Sequence, residues 1–242
     1  MEWSDEGFVL SARRHGEGDI VLSLLTRGHG RHAGLVKGGG GRRAAGLYEP
    51  GNRLKAVWRA RLSEHLGNFT CENVAQSAAL LLDEPLRLAA LSAATAVVET
   101  VLPEREPHPR AYDGFASLIE ALISSDDTVA WAARYVRWEL DLLAEIGFGL
   151  DLASCAVNGD TAGPTFVSPN SGRAVSSRAA EPYRDQLLPL PAFLSGGAAD
   201  LSAICQGLAL TGSFLERHAF RTVPAARARF VARLQRTRND LP

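Results

Sequence analysis

Four consecutive glycines, Gly38–Gly41, follow Lys37 and cannot propagate a helix, since glycine in a helix interior costs about 1 kcal/mol relative to alanine. The run lies inside LLTRGHGRHAGLVKGGGGRRAAG, and glycine punctuates the chain on both sides of it. Gly7–Arg14 and Asp19–Thr26 are short β-rich runs joined by HGEG, a turn with two glycines. Residues 31–37 supply a third run after GHG. Residues 54–62 (LKAVWRARL) alternate Leu54, Ala56, Trp58, Ala60 and Leu62 against Lys55, Val57, Arg59 and Arg61, which predicts a strand with one apolar and one mostly basic face. Residues 67–77 supply a fifth. Five short strands with glycine-rich turns and no helix between them predict a small barrel of the OB type over residues 1–80.

The remainder, residues 81–242, reads as a helical domain. Helices are expected over 86–102, 110–124, 129–146, 198–220 and 225–238, with Gly147 in place to end the third. Residues 150–178 interrupt them with a Gly-, Ser-, Pro- and Asn-rich segment carrying a short β-like TFVS, which predicts a β-hairpin insert. The expected class is α+β.

Charge is segregated along this framework. Residues 27–61 hold nine basic side chains and one acidic one, Glu49, in a chain whose net charge is -1. Residues 81–200 hold eight basic and seventeen acidic side chains, and residues 201–242 hold seven and two. Like charges packed closely cost free energy unless a polyanion neutralises them, and phosphate backbones are the commonest such partner. Arg27, Arg31, Lys37, Arg42, Arg43, Arg59 and Arg61 are therefore the candidate nucleic-acid contacts. The glycine loop lacks the order of a phosphate loop or a dinucleotide fingerprint, and reads as a flexible cationic connection between strands. Tyr48, in a turn, is the better stacking candidate, while Trp58 falls on the apolar face of its strand. On the last helix Arg229, Arg233 and Arg236 step along one face beside Phe230 and Leu234, a possible second basic surface or a dock for an acidic peptide.

Other chemistry is poorly supported. Cys71, Cys155 and Cys205 lie in no His–carboxylate context, and Glu139, Asp141 and Glu145 scatter around a helix, so no catalytic residue is assigned. A structural zinc site needs about four ligands. No other Cys or His lies between Cys155 and Cys205, so no metal or other cofactor is expected. No segment reaches the roughly 18 apolar residues of a membrane span, and the acidic start MEWSDEGFVL is unlike a secretory signal, so a cytoplasmic protein is expected.

The order VLSARRHGEGDIVLSLLTRGHGRHAGLVKGGGGRR, with the later VLPEREPHP, YVRWELDLLAEIGFGLDLASC and TFVSPNSGRAVS, resembles the RecO recombination-mediator family over nearly the full length. The resemblance implies an OB domain followed by a helical domain with a zinc-finger-like β insert. It implies binding of single- and double-stranded DNA, annealing of complementary strands, engagement of single-strand-binding protein, and, with RecR, indirect action on RecA. It places Arg27, Arg31, Lys37, Arg42 and Arg43 on the DNA face and the protein at the nucleoid, with no cofactor chemistry. Some relatives carry four cysteines in the insert; here only Cys155 stands at a matching place. An OB-fold protein binding RNA in translation or RNA processing is the alternative.

Overall fold

The computed structural model describes residues 1–159, 163–220 and 222–240, leaving out the side chains of Arg42 and Arg43. The chain divides into two compact units: Met1–Ile123 with Pro224–Phe230, and residues 124–223 with the chain from Val231 onward.

In the first unit, β1 (Glu2–His15), β2 (Asp19–Thr26), β3 (Gly30–Val36), β4 (Arg53–Arg59) and β5 (Asn68–Ala75) form one sheet in the order β1-β2-β3-β5-β4. β1 is long because it serves two partners: Glu2–Phe8 pairs with β4, and Gly7–His15 pairs with β2. The ring closes through a single parallel pair, Leu35 with Asn68, with Leu35 N–H donating to the Gly67 carbonyl at 3.0 Å. This is the partly open, five-stranded Greek-key arrangement of the OB type. Alternation along β4 works as the sequence predicts, with Leu54, Ala56 and Trp58 buried and Lys55 and Arg59 exposed. They join Val9, Ile20, Leu22, Leu24, Val36 and Phe69 in the barrel core.

The glycine loop is not the plain flexible connection expected. α1 (Arg42–Ala45) and a 3-10 turn (Gly46–Tyr48) fill it, and Tyr48 is buried in the barrel core rather than available for stacking. A short α2 (Ser77–Leu80) then leads to α3 (Pro85–Val101), which starts with proline at its first turn, and to α4 (Pro109–Ser124). Both long helices bear on β1. Phe8 meets Tyr112 and Phe115 at centroid separations of 5.3 and 5.4 Å, and Glu99 of α3 accepts from the Ser11 hydroxyl and the Arg13 guanidinium.

The linker between α3 and α4 lies along the open part of the barrel seam. Arg105 N–H donates to the Arg31 carbonyl at 2.7 Å, and its guanidinium donates to the Ser63 and His65 carbonyls of the β4–β5 loop at 2.6 and 2.8 Å. Arg105 adopts φ +63°, the left-handed region that a non-glycine residue enters at a cost. Gly30 makes this approach possible, since a Cβ there would collide with the Glu106 backbone.

The second unit is built on α5 (Thr128–Glu145) and α7 (Leu201–His218), packed together. Asp127 and Asp200 cap their N-termini, accepting from Val129 and Ala203 N–H at 2.8 and 2.7 Å. Gly147, φ +87°, ends α5 as predicted: its N–H donates to Ala144 and that of Phe148 to Leu143, the paired bonds of a Schellman motif. Gly207 lets the two helices approach, because a Cβ there would sit 2.8 Å from Val136 Cγ1. Buried Glu139 accepts from the Thr211 hydroxyl across the pair.

The insert is larger than the expected hairpin. β6 (Pro164–Val167) is the middle strand of three, between β7 (Ala174–Ser176) and β8 (Leu188–Pro189), with α6 (Ser177–Ala180) following β7. The two-residue β8 carries no periodicity, so sequence patterning misses it. α8 (Ala225–Asn239) ends the described chain. Among the described residues no helix is long and apolar enough to cross a membrane.

Two glycine substitutions separate crowding from backbone conformation. Gly30→Ala meets both a left-handed φ of +64° and the Glu106 backbone, and should cost about 2–4 kcal/mol in urea unfolding. Gly38→Ala has a similar φ of +68° but open space around it, and should cost about 1 kcal/mol.

Candidate nucleic-acid interface

The cationic end of the barrel is assembled from two loops. The register Arg14–Ile20 and Ile20–Val36 brings the end of β1 and the end of β3 alongside the start of β2. The glycine loop then folds against the β1–β2 turn through its main chain. Gly40 N–H donates to the Gly18 carbonyl at 2.9 Å, and Gly38 N–H donates to the Asp19 carboxylate at 2.8 Å. Arg14 and Lys37 are exposed here and, among the described residues, have no ion-pair partner. Arg42 and Arg43 begin α1 directly after this loop; their backbone belongs to the patch, and their side chains lie outside the described residues. Arg14 lies before the basic stretch, so charge segregation alone does not single it out. Its signal was the HGEG turn, which places it next to whatever packs on that turn.

The other expected contacts are distributed differently. Arg27 makes a two-pronged ion pair with Asp113, both bonds at 3.0 Å, which raises the Arg27 pKa and lowers that of Asp113, chiefly through the hydrogen bonds. Arg59 pairs with Glu2 across the β1–β4 ladder at 2.8 Å, and Arg53 faces Glu6 at 3.7 Å. The basic face of β4 is thus partly matched by the acidic start of β1. Arg31 is the most committed, with 18% side-chain exposure. Its Nε donates to the Leu102 carbonyl at 2.8 Å and its Nη1 to Glu104 at 3.1 Å. Lys55 and Arg61 are exposed and, among the described residues, unpaired.

On α8, Arg229, Arg233 and Arg236 are exposed, whereas Phe230 and Leu234 are fully buried. The apolar pair therefore serves the core and gives no anchor for a docked peptide.

The far end of the barrel holds aromatic residues. Half-buried Trp3 stacks on His29 with centroids 4.0 Å apart and planes 8° apart, and lies near-parallel to Trp58 at 5.9 Å. His32, 4% exposed, is ringed by the edges of Trp3, Trp58 and Phe69, and among the described residues neither of its ring nitrogens has a hydrogen-bond partner. Burial, with help from Arg105 and His29, pulls its pKa down to about 4.

In the insert, Cys155 Sγ accepts from Ser176 N–H at 3.3 Å. Burial opposes its ionisation, but hydrogen bonds from Ser176, Val157 and Asn158 outweigh this and bring the thiol down to about 7. Among the described residues no three His, Cys, Asp or Glu side chains converge as a metal-ligand group.

Family profiles match nearly the whole chain: recombination protein O N terminal over residues 1–77 and recombination protein O C terminal over residues 82–226. Among curated proteins, a DNA repair protein RecO of Rhodospirillum centenum is 55% identical, covering 98% of this chain and 96% of the relative. Proteins of the same name from Rhodospirillum rubrum and Methylobacterium nodulans are 49% and 48% identical, covering 98% and 96% of this chain and 97% of each relative.

His32 generates a test of the barrel's pH response. Its folded pKa of about 4 lies below the ordinary value of 6.5, so as pH falls the unfolded chain takes up the proton first. Its contribution is intact above pH 6.5 and is lost as pH falls through the range to 4, in total about 3 kcal/mol. Urea unfolding at stepped pH should show this loss, and His32→Phe should flatten it.

Proposed function

The chain belongs to the RecO family of DNA repair proteins, and on that footing we propose that it is a non-enzymatic recombination mediator in the cytoplasm, working at the nucleoid. It binds single- and double-stranded DNA and anneals complementary strands. With RecR, it helps load RecA onto strands coated by single-strand-binding protein. The observation that carries this reading is the cationic end where Arg14, Lys37 and the Arg42–Arg43 step meet on two loops tied by the Gly40–Gly18 main-chain bond and the Gly38–Asp19 bond.

The physical action is charge neutralisation. Two DNA strands repel along their whole length, and a protein that neutralises several phosphates displaces counterions and lets complementary bases meet without a covalent step. Glycine main chain approaches a backbone closely and reads no base, which suits strand pairing across any sequence. Arg27 and Arg59 add to the surface by exchanging exposed carboxylate partners for phosphate, since solvent screens such exposed pairs and makes them easy to exchange. Arg61 adds a further exposed cation, Arg31 contributes mainly by holding the barrel, and Arg229, Arg233 and Arg236 form a second contact on α8. No step calls for a metal or other cofactor.

Oligonucleotide affinity should fall steeply with salt, and Arg42→Glu with Arg43→Glu should lower it further while reducing the log–log salt slope by roughly 2. Unchanged binding would remove these two residues from the site. The decisive measurement is annealing of complementary strands precoated with single-strand-binding protein. The protein should accelerate it; no acceleration, or a strong preference for RNA over matched DNA, would overturn the mediator reading.

A further inference from the structure

We propose that His29, backed by Trp3, is a stacking platform for one unpaired nucleobase of a single strand, a site that rests on the DNA-binding reading above. The three rings His29, Trp3 and Trp58 form a near-parallel column leading from the surface into the barrel, with interplanar angles of 8° and 19°. Its inner end is locked, since Trp58 Nε1 donates to the Leu66 carbonyl at 2.9 Å and Phe69 sets its ring edge-on to Trp3. Its outer end is open. The His29 side chain is 36% exposed while Trp3 stacks on one of its faces, so solvent reaches it away from Trp3.

The turn that presents the ring is fixed in place. Asp5 accepts from Gly28 N–H at 2.9 Å and faces His29 Nδ1 at 3.3 Å, while the Thr26 hydroxyl accepts from His29 N–H at 3.1 Å. Gly28 is exposed and carries no side chain to shield the ring, and the Arg27 guanidinium stands one residue further back on the same turn. A ring held in this way loses little conformational freedom when a flat partner settles on it. Every base offers a π-face, so such contact tolerates any sequence. Bases inside a duplex have both faces occupied by their neighbours, so this contact distinguishes single strands from duplexes, which phosphate contacts do not.

The test compares three ligands of equal length: a single-stranded oligonucleotide, the same backbone with abasic sites throughout, and a duplex. His29→Ala should weaken single-strand binding roughly 5- to 100-fold, leave abasic and duplex affinities unchanged and keep the salt slope. His29→Tyr, which keeps a ring, should restore most of the loss. Wild-type affinity in His29→Ala, an equal loss on the abasic strand, or a Tyr variant as weak as Ala would each overturn the stacking site. If wild-type protein binds no DNA at all, the DNA-binding reading falls with it; if wild type binds and His29→Ala matches it, only the stacking site falls. Photo-crosslinking of wild-type protein to an iodouracil-substituted strand gives a check free of folding effects. Adducts should map to His29 or Trp3, and adducts confined to other residues would overturn the assignment.

Discussion

Closure of the barrel at the β3–β5 seam is the constraint on which the first unit depends. Strand pairing supplies one register pair there, Leu35 with Asn68, so the start of β3 pairs with β2 on one edge and has no strand on its β5-facing edge. Arg105 spans the gap: its main chain bonds β3 and its side chain bonds the loop entering β5. Arg31 returns the contact through the Leu102 carbonyl and Glu104. The helical linker is thus a working part of the barrel wall. Without it, unpaired backbone groups along β3 would face water beside a hydrophobic core containing Trp58 and Phe69.

This architecture divides the basic side chains by cost of release. Arg27 and Arg59 are exposed and paired with exposed carboxylates, and exchanging those partners for phosphate changes little in stability. Arg31 is different, because withdrawing it would leave the Leu102 carbonyl and the seam unsupported. Lys37 and Arg14 have no such tie among the described residues. A stretch that looks uniformly cationic in sequence therefore contains cations with distinct tasks.

Local patterns were legible in the sequence and long-range partners were not. The alternation of Leu54, Ala56 and Trp58 fixed which face of β4 is inside, because period-two burial is written in neighbouring residues. Gly147 marked the end of α5 for the same reason, since a Schellman motif is local. Nothing near Arg59 revealed that Glu2, 57 positions away, would sit opposite it. Tyr48 looked like a turn residue, yet the turn folds inward and caps the core. The aromatic column carries no local signature, because Trp3, His29 and Trp58 come from three separate parts of the chain. Two-residue β8 is defined only by the strand it pairs with.

The main-chain anchoring of the glycine loop also separates two properties that are usually linked in evolution. Its shape is set by the N–H groups of Gly38 and Gly40 against Asp19 and Gly18, so no cationic side chain is needed to hold it. Substitutions at Lys37 and Arg14 can therefore drift in charge and length with little effect on the barrel's foldedness. The charge presented at this end can thus change while the loop keeps its shape.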